Sequence, residues 1–380
     1  MNAFITSIST LLPGKPVSND ELDEYLGKVH KISAKTRRII LANNGIQSRY
    51  YALDPQTGKA TYTNAQMTAE AVRRLSIDES LIESLCCGTS TPDQLLPGHA
   101  SMVHGELGGG PCEVVTTSGV CLTSLTALKY GAMSVALGMT KNAVATGSDV
   151  ASSSLRDDFF QAMSGKQGAK EKERTHPAFS FEADFLRWML SDGAGAVLIE
   201  NTPATSGLSL QIEWIENTSH AHKLDACMYA GAVKQEDGSL VGWREYAIND
   251  GLDRQGIVTI KQDARLLNKE IVPVILDHSL PIILKKHRIK ADDVDWFLPH
   301  ISSEYFREPL WQKLQEIDFP IPQDRWFTNL VTKGNTGAAS FYIMLEELFT
   351  SGKLKKGDRI LGMVPESGRF SVGWIYLIVV

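Results

Sequence analysis

The chain has 380 residues, 43% hydrophobic and 22% charged, with a formal net charge of −6. That balance fits a globular protein with a large core. It excludes a dedicated nucleic-acid binder, whose affinity would rest on clustered positive charge. No uninterrupted apolar run approaches the roughly 20 residues needed to span a bilayer, and the opening MNAFITSIST has no basic region before it, so it does not read as a signal peptide.

In chain order, β-rich runs alternate with helical periodicity, which predicts an α/β fold. Strands are expected over AFITSIS near the start, EVVTTSG at 113–119, AVATGSD at 143–149 and GAVLIEN at 195–201. Later ones are LSLQIEWIE at 208–216, VDWFLPH at 294–300, RILGMVPE at 359–366 and the terminal VGWIYLIVV. Apolar residues recur at three- and four-residue spacing over 66–76, 122–138, 262–287, 303–316 and 338–351. The five cysteines form no paired framework and no CxxC spacing, which fits a reducing cytoplasm and argues against a zinc site. The adjacent Cys86 and Cys87 read as strand core. The polar stretch GKQGAKEKERTHPA at 165–178 reads as a solvated excursion or as a flap. In the second case Lys166, Lys170, Lys172 and Arg174 would steer an acidic partner.

Two passages share a plan. Gly119 and Cys121 precede an apolar helix, a break and AVATGSD; Gly334 and Asn335 precede the helix AASFYIMLEELF, a break and RILGMVPE. Gly119 to Gly147 and Gly334 to Gly362 are both 28 positions. The match suggests duplication, with halves of 1–205 and 206–380 divided at the turn-rich NTPATSG.

Three residues sit where open α/β sheets place their sites, at the ends of strand-like runs: Cys121, His300 and Asn335. A thiol at a helix start meets the macrodipole and unpaired N–H groups, which favour the thiolate. A histidine and a carboxamide would complete a set suited to thioester chemistry. Spacing alone does not bring the three together, and His300 reads equally well as a core histidine.

SGVCLTSLTAL, WFLPHISS and KGNTGAAS resemble the three active-site motifs of the ketoacyl-ACP synthase III group within the thiolase superfamily. STPDQLLPG at 90–98, SDGAGAVLIE at 191–200 and ESGRFSVGW at 366–374 match further stretches, in family order along nearly the whole chain. The resemblance implies a five-layered αβαβα fold of two related halves working as a homodimer; no cofactor or metal is expected, and the cysteine usage points to the cytoplasm. It implies that Cys121 accepts an acyl group from a CoA or acyl-carrier-protein thioester. His300 and Asn335 would bind the carbonyl of the second thioester, and the N–H groups of Cys121 and Gly368 would form the oxyanion hole. Leu96 matches a position whose apolar side chain crosses the dimer interface into the partner's acyl pocket, with core packing as the other reading.

The chain departs from the housekeeping initiators at two places. Their three-glycine run becomes Ser367, Gly368 and Arg369, which keeps the central glycine but brings charge and bulk close to the site. Their HQAN-type sequence becomes HISSE, and a helical continuation would put Glu304 one turn beyond His300. Glu304 then reads either as a first-turn helix residue or as a second acid–base group for ring closure. Asp149 reads as a structural hydrogen-bonding residue. These features are most similar to the ketosynthase/cyclases of dialkylresorcinol and stilbene biosynthesis. Those enzymes join an acyl thioester to a β-ketoacyl thioester and close a cyclohexanedione ring. Chain initiation from acyl-CoA and malonyl-ACP, head-to-head condensation, O-acyl transfer and a non-condensing partner subunit stay open.

Overall fold

The computed structural model describes residues 2–28, 34–162, 185–249 and 256–380. The 165–178 segment lies outside the described residues. Nine strands join into one sheet: β1 (Phe4–Leu11), β2 (Ser84–Thr89), β3 (Glu113–Ser118), β4 (Asn142–Asp149), β5 (Gly193–Glu200), β6 (Leu210–Ser219), β7 (Trp296–Pro299), β8 (Arg359–Glu366) and β9 (Ser371–Val379). Their order is β7-β8-β9-β6-β1-β5-β4-β2-β3.

Read inward from each edge, the sheet repeats itself. On one side β3, β2 and β4 are mutually parallel neighbours, and β5 and then β1 follow antiparallel. On the other, a parallel bridge at Trp326 flanks β7, β7 and β8 are parallel, and β9 and then β6 follow antiparallel. The two series meet at β1 and β6 through two residue pairs, Phe4 with Gln211 and Ile5 with Leu210.

The apolar faces explain the layers. The principal helices are α1 (Asn64–Arg73), α2 (His99–Leu107), α3 (Thr123–Ala136), α4 (Ala264–Pro273), α5 (Leu280–His287), α6 (Arg307–Glu316) and α7 (Ser340–Thr350). Leu125, Leu128 and Ala132 of α3 share one core with Phe341, Tyr342 and Leu345 of α7 and with strand residues of both series. This places α3 and α7 in a central layer between the sheet halves. A second core joins α1 and α2 to the outer face of β2, β4 and β5. A third joins α4, α5 and α6 to the outer face of β7, β8 and β9. The result is five layers, αβαβα.

Several elements follow directly from the sequence. Thr63 and Gln66 form a reciprocal capping box that starts α1. Cys86 and Cys87 are fully buried in β2. The helical stretch expected over 262–287 is divided: α4 ends at Pro273, Val274–Ser279 forms a π-helical segment, and α5 follows. A proline lacks the N–H for the i→i−4 ladder and its ring crowds the preceding turn, so a regular helix does not pass through it. Among the described residues, no helix is long and apolar enough to cross a membrane.

Candidate active site

Each half presents a turn ahead of its central helix. In the first, Gly119 (φ 155°) precedes Cys121, and α3 begins at Thr123. In the second, Gly334 (φ 71°) precedes Asn335, and α7 begins at Ser340. A side chain at Gly334 would be strained by that φ and would meet Arg49 Cγ and Ser191 Cβ at 2.9 Å.

The peptide of Asn335 is pinned on both sides to the segment before β5. Its N–H donates to the Met189 carbonyl at 3.0 Å, and its carbonyl accepts from Ser191 N–H at 2.8 Å. Its Oδ1 accepts from Gly337 N–H at 3.0 Å. An N–H can donate only to the oxygen end of a carboxamide, so this bond fixes the amide and leaves its NH2 as the donor end. His300 follows β7 and is buried, with its backbone N–H donating to the Met363 carbonyl of β8 at 2.8 Å.

Cys121, His300 and Asn335 line one cavity of about 50 Å³, whose apolar wall includes Leu186, Leu190, Met228, Ile260, Leu267 and Ile271. A wider cleft of about 730 Å³ lies alongside, lined by Gly119, Glu366, Gly368 and Arg369 among others.

Burial sets the protonation of the pair. It holds the His300 imidazole down at about 4, so the ring is neutral at ordinary pH. Desolvation pushes the Cys121 thiol above its ordinary range, and the carboxylates of Asp149 and Glu366 push it further. The expected thiolate preference at a helix start is therefore overridden, because the macrodipole contributes less than desolvation and two anions take away. The resting pair is thiol and neutral imidazole.

Two carboxylates organise these turns, and they do so reciprocally. Asp149 ends β4, and its Oδ2 accepts from Ala338 N–H, ahead of α7, at 2.7 Å. Glu366 ends β8, the counterpart strand, and its Oε2 accepts from Val120 N–H, ahead of α3, at 3.0 Å. Each half thus caps the turn of the other. Asp149 also accepts from Ser90 N–H (2.7 Å), Ser90 Oγ (2.7 Å) and Thr89 Oγ1 (3.0 Å), as a structural hydrogen-bonding residue would. Sequence reasoning missed Glu366. The available signal was that both passages of the duplicated plan end their strand on an acid.

Residues 284–374 match the family described as 3-oxoacyl-(acyl-carrier-protein) synthase III, C terminal. A β-ketoacyl-(acyl-carrier-protein) synthase III of Clostridium perfringens (strain SM101 / Type A) is 25% identical over 363 residues, covering 95% of this chain and 94% of the relative. Among solved structures, a tetronic acid condensing enzyme superposes with a TM-score of 0.74 at 18% identity, covering 99% of each chain. A variant of Xanthomonas campestris OleA superposes with a TM-score of 0.75 at 18% identity, covering 100% of this chain and 98% of its own. Over nearly its whole length the chain is similar to these synthases. Its fold is the thiolase-like αβαβα arrangement of these structures.

The remaining expected residues fall in four places. The N–H groups proposed for an oxyanion hole, of Cys121 and Gly368, lie on adjacent turns: a Cβ at Gly368 would stand 3.1 Å from Val120 Cγ2. Arg369 is exposed in the wider cleft and donates Nε to the Leu224 carbonyl at 2.8 Å. Leu96 is 85% exposed in the single chain, beside Leu95 at 76%, so core packing is not its role there. Glu304 does not line the cavity with His300. The chain bends at Ser302 and Ser303, a 3-10 turn opens at Glu304, and its carboxylate pairs with Arg307 Nε at 2.6 Å. The helical continuation expected after HISSE starts too late to aim this residue at the site.

Proposed function

We propose that this chain is an acyl-thioester condensing enzyme. It loads an acyl group on Cys121, joins it to a β-ketoacyl thioester by carbon–carbon bond formation, and closes the product to a cyclohexanedione. The observation that carries the reading is the convergence of Cys121, His300 and Asn335, from both halves, on one cavity.

The chemistry follows from the neutral pair. The Cys121 sulfur attacks the thioester carbonyl as its proton leaves, for which a neutral imidazole is a competent acceptor. The Cys121 and Gly368 N–H groups hold the developing oxyanion, and the departing CoA or carrier thiol takes the proton. The second thioester then places its carbonyl against His300 and the NH2 of Asn335, which stabilise the enolate formed on loss of the α-proton. The enolate carbon attacks the acyl carbonyl, a C–C bond forms, the C–S bond to Cys121 breaks, and the proton released from the α-carbon returns to the sulfur to restore the thiol.

The reading extends to the assembly: two halves, 1–205 and 206–380, and a homodimer. Supporting a dimer, β3 is an unpaired sheet edge among the described residues, with Val114 38% exposed, and Leu95 and Leu96 stand out from the surface.

Intact-mass measurement after incubation with acyl-CoA tests loading, and no mass gain on Cys121 would end the covalent reading. Product analysis with paired acyl and β-ketoacyl thioesters then tests closure. Cyclohexanediones support it, whereas linear β-ketoacids make the chain an initiating synthase. Acylated alcohols make it an O-acyltransferase.

A further inference from the structure

The carboxylate of Glu366 stands beside the nucleophile and works against it. Its charge adds to the burial that keeps Cys121 a thiol. A group that raises the nucleophile's proton affinity must offer something else, and its contacts say what. Its Oε2 accepts from Val120 N–H at 3.0 Å, and the N–H groups of Val120 and Leu122 both favour its charged form against the burial that raises its pKa. These two N–H groups flank that of Cys121. The carboxylate thus takes the Val120 donor and bears on Leu122, with the Cys121 N–H between them.

The same carboxylate is wedged between the two turns. A Cβ at Gly119 would lie 3.2 Å from Oε2, and one at Gly368 would lie 3.2 Å from Oε1. The second turn is held from its far side as well. The Gly368 carbonyl accepts from Cys227 N–H at 2.9 Å, the Ser367 carbonyl accepts from Met228 N–H at 3.0 Å, and Ser367 Oγ accepts from Gln262 Nε2 at 2.8 Å. Arg369, the adjacent cation, is turned away to the Leu224 carbonyl.

We propose that Glu366 is a positioning residue. It ties the 119–122 turn of one half to the 367–369 turn of the other, and so sets the spacing of the Cys121 and Gly368 N–H groups that receive an acyl oxyanion. Asp149 plays the mirrored part at the second turn, but it caps Ala338, beyond Asn335, and acts on the helix start. Among the described residues, only the Glu366 bridge spans both turns. The proposal rests on the condensing reading for its oxyanion, while the clamp itself is readable without any acyl donor.

Three variants separate geometry from charge. E366Q keeps an oxygen able to accept from Val120 but removes the charge. E366D keeps the charge but withdraws the oxygen by one methylene. E366A removes both. With oxyanion-hole losses typically near 10²-fold, the kcat of acyl transfer to Cys121 is expected to fall about 100-fold in E366A and E366D, with KM nearly unchanged, and to stay within about fivefold in E366Q. The groups that bear on the sulfur are Asp149, Glu366 and the neutral His300. The pH midpoint for iodoacetamide alkylation of Cys121 should therefore fall in E366Q and E366A and hold in E366D. Thermal midpoints identify any variant that fails to fold, and E366Q against E366D decides the matter without E366A. Equal impairment of E366Q and E366D, or full activity in E366D, overturns the positioning role. An unmoved alkylation midpoint in E366Q overturns the placement of the carboxylate. A wild-type chain that gains no acyl mass yet shows the alkylation shift removes the condensing reading and leaves the clamp.

Discussion

The two turns that build the site have the same scaffold and opposite chemical settings. Both start on a glycine of positive φ, both feed a central helix, and both are capped by a strand-final carboxylate from the other half. The 334–339 turn commits its functional side chain: Asn335 Oδ1 is tied to Gly337 N–H, and its peptide is bonded on both faces to 189–191. The 119–122 turn commits its backbone, and its functional sulfur is kept a thiol chiefly by desolvation and two anions. One half supplies a fixed donor and the other a thiol whose reactivity must be drawn out by substrate. The repeated architecture provides two equivalent helix starts, and on the proposed reading a few side chains make one a nucleophile site and the other an enolate site.

The largest effects should come from breaking that division of labour. Cys121→Ala removes the only covalent step, so acyl mass gain disappears and condensation falls by at least about 10³-fold in turnover assays. Asn335→Ala removes one enolate donor. Condensation should fall by about 10²- to 10³-fold, while acylation of Cys121, followed by mass spectrometry, continues at close to the wild-type rate. Equal loss of both half-reactions in Asn335→Ala would show that the turns are not specialised as described.

The scaffold was legible in the sequence where local rules are strong. The strand RILGMVPE has the bounds expected of it, and the shared 28-residue glycine spacing marks two real equivalents, Gly147 and Gly362. The chemistry was less legible because it depends on what surrounds each group. A helix start predicts a thiolate at Cys121, yet burial and the carboxylates of Asp149 and Glu366, far off in the sequence but near in the fold, decide otherwise. HISSE continues helically only from Glu304, which places that acid on Arg307 rather than beside His300. β2 and α2 have weak periodicity, β2 because it is buried on both faces, so alternation does not reveal it.

The two strand glycines give a comparison of intermediate size. A Cβ at Gly147 would stand 2.3 Å from the Ala338 carbonyl oxygen and 2.5 Å from Ser124 Cβ. One at Gly362 would stand 2.5 Å from the Phe341 ring and 2.6 Å from Ile375 Cγ2. The first clash involves backbone at the turn ahead of α7, whereas the second involves side chains that can shift. Gly147→Ala is expected to cost about 3 kcal/mol and Gly362→Ala about 1 kcal/mol by urea denaturation. The reverse order would mean that the turn ahead of α7 yields more readily than the packing of Phe341 and Ile375.

The smallest effect is a rate that should hardly change. Burial holds His300 at about 4. Its protonated fraction is thus only a few per cent at pH 5.5, where an ordinary histidine would be mostly charged. The enolate-forming half-reaction can be isolated in Cys121→Ala by following deuterium uptake at the α-carbon of a β-ketoacyl thioester, after subtraction of uptake in buffer alone. Because the neutral ring is the form present above pH 5, His300 should impose no acid limb between pH 5.5 and 7.5, and any change it causes there should stay below about twofold. The limb belongs near pH 4, as protons fill the ring. An acid limb near pH 6.5 would mean that the ring is solvated as an ordinary histidine. The contrast between a desolvated first turn and a backbone-fixed second turn would then have to be redrawn around a site open to water.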